Sequence, residues 1–201
     1  MNRKIVIRPA IERDVLPVLE VYSPFVRETA VSFETSVPSP GEMWERISSI
    51  GENYPFLVCE IDYRMAGFAY ATNHRQRDAY KWCKEVSVYV HPGFRGKKVA
   101  TALYHTLFRI LKLQGVVNLL AGITLPNPES IGFHEKMGFR KAGEFTGLGY
   151  KLGKWQNVGW WELSMDKGIK PSPQPIIPFR ELQDSDAVKN IFSEGEGTVI
   201  L

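Results

Sequence analysis

The stretch from Glu85 to Thr101 constrains this chain more than any other. Val86, Val88 and Val90 alternate with Glu85, Ser87 and Tyr89, the period-2 pattern of a strand packed on one face. His91-Pro92-Gly93 ends that strand, because proline has no N–H for a ladder and glycine accepts turn dihedrals. Arg95-Gly96-Lys97-Lys98-Val99-Ala100 then leads into a helix whose apolar face is Val99, Leu103, Leu107 and Ile110. A glycine turn that delivers free backbone N–H groups and two lysines to a helix N-terminus is an anion site, and it suits a pyrophosphate. Read without its surroundings, the same stretch is also a plain strand, turn and surface helix with a basic first turn.

With 201 residues, 44% of them hydrophobic, one ordinary globular domain with a real core is expected. The formal charge of +3 and the absence of a run of five like charges argue against a nucleic-acid partner and leave local basic patches as the use of the positive charge. Residues 1–10 include basic side chains but no long apolar stretch follows, so neither a signal peptide nor a membrane span is expected, and the chain reads as cytoplasmic. Cys59 and Cys83 fall in strand-like segments and make no metal-ligand spacing with the four histidines. They read as reduced and mostly buried, and no metal is called for.

Taken in order, Lys4 to Arg8 reads as a first strand stopped at Pro9, and Glu12 to Tyr22 as a short amphipathic helix. Residues 25–37 are irregular, with an apolar and hydroxyl-rich loop at 30–35. Ser39-Pro40-Gly41-Glu42 starts a second helix with a serine cap, proline at its first position and an acid in its first turn. Tyr54 to Ile61 and Met65 to Ala71 form a hairpin around Asp62-Tyr63-Arg64. The segment His74 to Trp82 shows no period and holds Arg75, Arg77, Lys81, Tyr80, Trp82 and Asp78. It reads either as a solvated charged loop or as a clamp for an anionic substrate, where arginine gives a bidentate fork.

Gly115 ends the central helix, and Val116 to Leu125 is nearly all apolar, as expected of a strand covered on both faces. Asn127-Pro128-Glu129-Ser130 opens a short helix that Gly138 stops, with Asn127 and His134 on one face. Strands from Phe139 onward and from Val158 to Met165 close the domain. The order gives a mixed α/β sheet and excludes a doubly wound nucleotide fold, since strands and helices alternate over only part of it. Residues 1–167 read as the domain and 168–201 as a Pro-rich extension. In the extension Pro171, Pro173, Pro175 and Pro178 favour an extended chain, and Asp184 to Phe192 one or two helical turns, packed on the domain or on a neighbouring subunit.

Several separated motifs carry a family resemblance over roughly residues 3–166. They are Thr29 to Thr35; Tyr80-Lys81-Trp82 followed by Glu85 to Pro92; Ala121 to Asn127; His134-Glu135-Lys136-Met137-Gly138-Phe139; Gly149 to Trp155; and Val158-Gly159-Trp160-Trp161. Together they resemble the GNAT superfamily of acyl-CoA-dependent N-acetyltransferases, and within it the phosphinothricin and methionine-sulfoximine N-acetyltransferase group. The superfamily signature R/Q-x-x-G-x-G/A is met by Arg95 and Ala100, while Lys98 stands at its central glycine.

The resemblance implies a mostly antiparallel twisted sheet splayed at its centre and flanked by helices. Acetyl-CoA would enter where the strand ending at Val90 and strand 116–125 part. Backbone groups of Val88, Tyr89 and Val90 would hold its pantetheine arm. Its pyrophosphate would meet the N–H groups of Gly96, Lys97, Lys98, Val99, Ala100 and Thr101, with Arg95 alongside, Asn127 would also contact the cofactor, and helical dihedrals at Lys98 would keep that N–H in place. Glu85 would be the general base for an attacking amine, and His134 a proton donor near the CoA sulfur. The acceptor, a small amino-acid-like amine, would lie against Phe33, Arg75, Arg77, Tyr80, Lys81, Val86, Ser87 and Asn127, with Lys81 in place of an expected arginine. A homodimer is implied in the same way. Competing readings are a peptide N-terminal acetyltransferase, which asks for an open acidic groove, and a non-catalytic acyl-CoA-binding regulatory module. An RNA-binding domain lacks its aromatic platform motif.

Overall fold

A computed structural model of the protein describes residues 4–166 and 172–201. Seven strands form one sheet: β1 (Ile5–Pro9), β2 (Phe56–Ile61), β3 (Arg64–Asn73), β4 (Cys83–Val90), β5 (Asn118–Leu125), β6 (Arg140–Lys151) and β7 (Lys154–Ser164). Their spatial order is β1-β2-β3-β4-β5-β7-β6. Every pairing is antiparallel except β4 with β5. The helices are α1 (Val15–Glu28), α2 (Pro40–Asn53), α3 (Val99–Leu113), α4 (Pro128–Lys136), α5 (Phe179–Leu182) and α6 (Asp186–Glu196).

Two apolar clusters hold the layers. On one face α3 and α6 pack on the sheet through Leu103, Leu107, Ile110, Val188 and Ile191 against Ile7, Leu57, Ala69, Leu119 and Trp161. On the other, α1 and α2 bring Val18, Tyr22, Met43 and Ile47 onto Phe56, Val58 and Phe68. The stripe Val99, Leu103, Leu107, Ile110 is buried as its spacing requires. Ser39 caps α2 as expected: its hydroxyl accepts from Glu42 N, and Glu42 accepts from Ser39 N.

Three elements differ from the sequence reading. Helix α1 begins at Val15 and runs through Pro24 to Glu28. Burial of Val21, Tyr22 and Val26 outweighs the roughly 3 kcal/mol that an interior proline costs. Strand β5 is not covered on both faces: Leu119, Ala121 and Ile123 are buried, while Asn118 and Gly122 are exposed, because the second face borders the cavity described below. The closing strands are a longer hairpin than their apolar pattern suggests. Leu152 and Gly153 turn it with φ of 53° and 76°, the twist-compatible arrangement for a two-residue loop.

The C-terminal segment packs on the domain. Pro171 lies outside the described residues, Pro173 and Pro175 are in a segment with no regular secondary structure, and the helical part exceeds the expected one or two turns, α6 being capped by Ser185 Oγ on Val188 N. Phe179, Val188, Ile191 and Val199 are buried in the α3-side cluster. Glu196 accepts from Ile7 N at 3.0 Å on the edge strand, and Ile200 N donates to the Lys97 carbonyl at 3.0 Å. The close approach of α6 to α3 requires Gly195, since a Cβ there would collide with Thr106 Oγ1. Replacing Gly195 by Ala is therefore expected to cost about 1–3 kcal/mol in urea unfolding. Gly41→Ala, with nothing within 4 Å of the new Cβ, should be neutral or stabilising; equal effects at the two positions would contradict this packing.

Candidate active site

Strand β4 is paired with β3 along its length, from Asn73↔Lys84 to Gly67↔Val90. Its other edge meets β5 only at Cys83↔Asn118, Lys84↔Leu119 and Glu85↔Leu120. From there β4 continues to Val90 and β5 to Leu125 without pairing, and the sheet opens. An unpaired strand edge presents backbone donors and acceptors to a ligand that can act as the missing strand.

At the end of this edge lies the anion turn. The His91 imidazole accepts from Gly93 N at 3.1 Å and fixes the first bend. Gly96 has φ 78°. Val99 sits 2% exposed against the sheet because Gly67 has no side chain: a Cβ there would lie 2.6 Å from the Tyr89 carbonyl and 3.2 Å from Val99 Cγ1. The expectation of helical dihedrals at Lys98 is corrected. Lys98 is the residue before α3 and is left-handed, φ 58° and ψ 19°, which is why glycine suits this position. The helix still starts cleanly, with Ala102 N on the Lys98 carbonyl, and the N–H groups ahead of that bond are turned out of the ladder. An unpaired strand edge running into a helix N-terminus fits a long, flexible ligand ending in a pyrophosphate.

Alternation along β4 divides its side chains. Val86, Val88 and Val90 join the α3-side cluster, and Tyr89 joins the α1-side cluster. Glu85 and Ser87 share the Tyr89 face and line a cavity of about 350 Å³ with Tyr22, Glu34, Arg46, Tyr70, Thr72 and Gly122. Glu85 is at the last paired position of β4 and β5, so its carboxylate stands where the sheet opens. Its Oε1 is 2.7 Å from His74 Nδ1. A carboxylate only accepts, so Nδ1 carries the proton. The His74 ring is held edge-on by Tyr80 and Trp160, each centroid 5.7 Å away.

The remaining expected site residues are distributed less compactly. Phe33 lies on Gly149 of β6, where a Cβ would clash with its ring. Its loop is pinned by Lys151 Nζ donating to the Ser32 carbonyl at 2.5 Å and by the Tyr22–Ser32 hydroxyl contact at 2.7 Å. Arg75, Arg77 and Lys81 are exposed on the 74–82 loop and do not line the Glu85 cavity. Arg75 lies over the Tyr80 ring and Lys81 over the Trp82 ring. Asn127 uses Oδ1 to cap α4 on Ser130 N.

His134, expected as a proton donor near the CoA sulfur, is buried on α4. It is 6% exposed, and burial lowers its pKa, partly offset by the Ser130 carbonyl. Nδ1 lies 2.8 Å from that carbonyl, which can only accept, so the single proton of the neutral ring is committed there. Nε2 then accepts from the Tyr104 hydroxyl at 3.2 Å. In this tautomer the ring orients the Tyr104 hydroxyl. Cys83 is unsuited to nucleophilic work, since burial pushes its thiol up to about 11.

Sequence reasoning missed His74, Glu34 and Arg46 as individual site residues. The signal for His74 was indirect: the Thr72↔Glu85 register brings the end of β3 beside Glu85. Arg46 stands next to the buried Ile47 and three residues after the buried Met43, a cation bordering an apolar stripe and hence partly buried.

A mixed sheet opening beside a carboxylate and ending in an anion turn defines an acyl-CoA-dependent acyltransferase. The family model for the GNAT acetyltransferase domain matches residues 7–160, and the chain belongs to that family. It is similar to a phosphinothricin N-acetyltransferase of Streptomyces viridochromogenes, 31% identical over 181 residues that cover 90% of this chain and 98% of the relative. An L-methionine sulfoximine/L-methionine sulfone acetyltransferase of Salmonella typhimurium is 29% identical, with 82% and 97% covered. Among solved structures, a GNAT superfamily phosphinothricin acetyltransferase from Sinorhizobium meliloti in complex with acetyl-CoA superposes with a TM-score of 0.79 at 30% identity, covering 87% of this chain and 94% of that one. The protein is an acetyl-CoA-dependent N-acetyltransferase.

The left-handed lysine makes a prediction. Lys98→Gly removes the roughly 1–2 kcal/mol that this conformation costs a side-chain-bearing residue, so the urea midpoint should hold or rise, while loss of the ammonium should raise the KM for acetyl-CoA modestly. Lys98→Val, β-branched at positive φ, should lower both stability and acetyl-CoA affinity. A clear loss of stability in Lys98→Gly would show that the ammonium, rather than the backbone, fixes the turn.

Proposed function

We propose that the protein transfers the acetyl group of acetyl-CoA to the primary amine of a small amino-acid-like acceptor, of the phosphinothricin or methionine sulfoximine type, by direct attack in a ternary complex. The observation that carries this reading is Glu85, oriented by His74, on a cavity at the point where β4 and β5 part.

When bound, acetyl-CoA supplies an activated thioester. The chain's own residues do the rest. The open edge at Val88, Tyr89 and Val90 would hold the pantetheine arm through backbone bonds. The first-turn N–H groups of α3, with Arg95, Lys97 and Lys98, would neutralise the pyrophosphate. Glu85, its side chain 35% exposed, would take the proton of the attacking amine directly or through one water. His74 donates to Glu85 and keeps one oxygen occupied, so the other is the one free to act. Ser87 and Val86 border the acceptor cavity. Arg75 and Arg77 follow His74 in the chain and would contact the acceptor carboxylate at the entrance.

The relatives' substrates support the acceptor class, since phosphinothricin and methionine sulfone are both amino acids with a polar distal group. A homodimer is proposed from the hairpin β6–β7, where Phe145, Leu148, Tyr150 and Trp155 are exposed on the edge of the sheet. No helix among the described residues is long and apolar enough to cross a membrane. Free Cys59 and Cys83 suit a reducing compartment and the proposed cytoplasmic location.

The test is thiol release from acetyl-CoA with a panel of amino-acid analogues. Glu85→Gln is expected to lower turnover about 10²–10⁴-fold with acetyl-CoA binding intact; unchanged turnover would remove Glu85 from the role of base. Arg75→Ala is expected to raise the KM of the acceptor well above any change in that of acetyl-CoA, and equal changes in the two would contradict its place at the entrance.

A further inference from the structure

The cavity that holds Glu85 contains a second carboxylate with a partner of its own. Glu34, on the loop between α1 and α2, accepts from Arg46 Nη2 at 2.5 Å. Both side chains are about a third exposed, 32% and 30%, and both line the cavity. Burial pulls the proton affinity of the Arg46 guanidinium down, but the hydrogen bond and charge of Glu34 more than offset it. The other Glu34 oxygen, Oε2, is covered and without a hydrogen-bond partner. Arg46 is therefore neutralised before any acceptor arrives.

The charged groups lining the cavity are two carboxylates, Glu34 and Glu85, against one guanidinium. The other polar groups are neutral hydroxyls of Tyr22, Tyr70, Thr72 and Ser87. An anionic distal group placed here loses its hydration and meets no uncompensated cation, which is unfavourable. A neutral group with strong acceptor oxygens, or with an N–H, meets hydroxyls and an arginine edge that can bond it without a charge mismatch.

We infer that the Glu34–Arg46 pair selects acceptors by the charge of their distal end. It admits neutral hydrogen-bonding ends such as a sulfone or a carboxamide, and it disfavours anionic ends such as a phosphinate. This inference rests on the acetyltransferase reading above and narrows its substrate class.

The experiment compares two acceptors that share an amino-acid head, methionine sulfone with a neutral end and phosphinothricin with an anionic one. The wild-type ratio of kcat/KM should favour the sulfone. Glu34→Gln keeps the shape and the hydrogen bond but removes the carboxylate charge, leaving the Arg46 charge uncompensated and its remaining N–H groups available to the phosphinate. It should shift the ratio toward phosphinothricin by at least about tenfold. The double variant Glu34→Gln/Arg46→Gln should lose that gain. A wild-type preference for phosphinothricin, or a ratio unmoved by Glu34→Gln, would overturn the inference. Should Glu34→Gln not fold, the wild-type ratio decides by the first of these criteria. Calorimetric binding of the same two acceptors to CoA-saturated protein reads the same ratio without turnover. Binding of both with no transfer to any amine would defeat the proposed chemistry, and the ratio of Kd values would still decide the selection.

Discussion

The parting of two parallel strands in an otherwise antiparallel sheet is the constraint on which the structure depends. Strands β4 and β5 share three paired positions and then diverge. A sheet that opens forfeits hydrogen bonds that an unbroken ladder would make, each worth about 0.5–1.5 kcal/mol net. The neighbours must hold the gap open without those bonds. On the α3 side, Val86, Val88 and Val90 are held by the helix that follows them, and Gly67 lets that helix come down onto the sheet. On the other side Tyr89 is held by Tyr22, Phe25 and Phe68 through edge and stacked ring contacts. The polar edge is left exposed because both faces of the strand are already anchored.

Chemistry and recognition then fall on opposite sides of one strand. Glu85 and Ser87 point into the α1–α2 side with the acceptor cavity, while the open edge and the anion turn lie along and beyond the same strand. The C-terminal segment contributes at a distance from the cavity. Its helix α6 rests on α3, and Ile200 N reaches the Lys97 carbonyl, so the turn that carries a left-handed lysine is braced from outside. That bond is one account of how Lys98 is kept in a conformation that its side chain disfavours.

Much of this was legible in the sequence where local physics decides. The valine alternation of β4, the apolar stripe of α3, the Ser39 and Asn127 caps and the chain reversals at Gly115 and Gly138 follow from period and turn chemistry alone, and the structure has them all. What the sequence concealed was set by contacts between distant segments. Helix α1 passes Pro24 because its far end is buried against β3 and β4. The Glu85 partner is His74, brought close by strand register and not by sequence spacing. The cation lining the cavity is Arg46, from a helix that reads as amphipathic and ordinary, while the conspicuous Arg75, Arg77 and Lys81 stand on the loop outside it. His134 sits where its motif puts it, yet its proton is spent on the Ser130 carbonyl, a detail of tautomer that no residue pattern encodes.

The most direct test of the open seam is backbone amide NMR of the protein titrated with acetyl-CoA. The largest shift changes are expected at the amides of Val88 to Val90 and of Gly96 to Thr101, with the β1 and β2 amides little moved. Large changes elsewhere with these amides unmoved would contradict this, because the cofactor would then bind away from the gap that the sheet holds open.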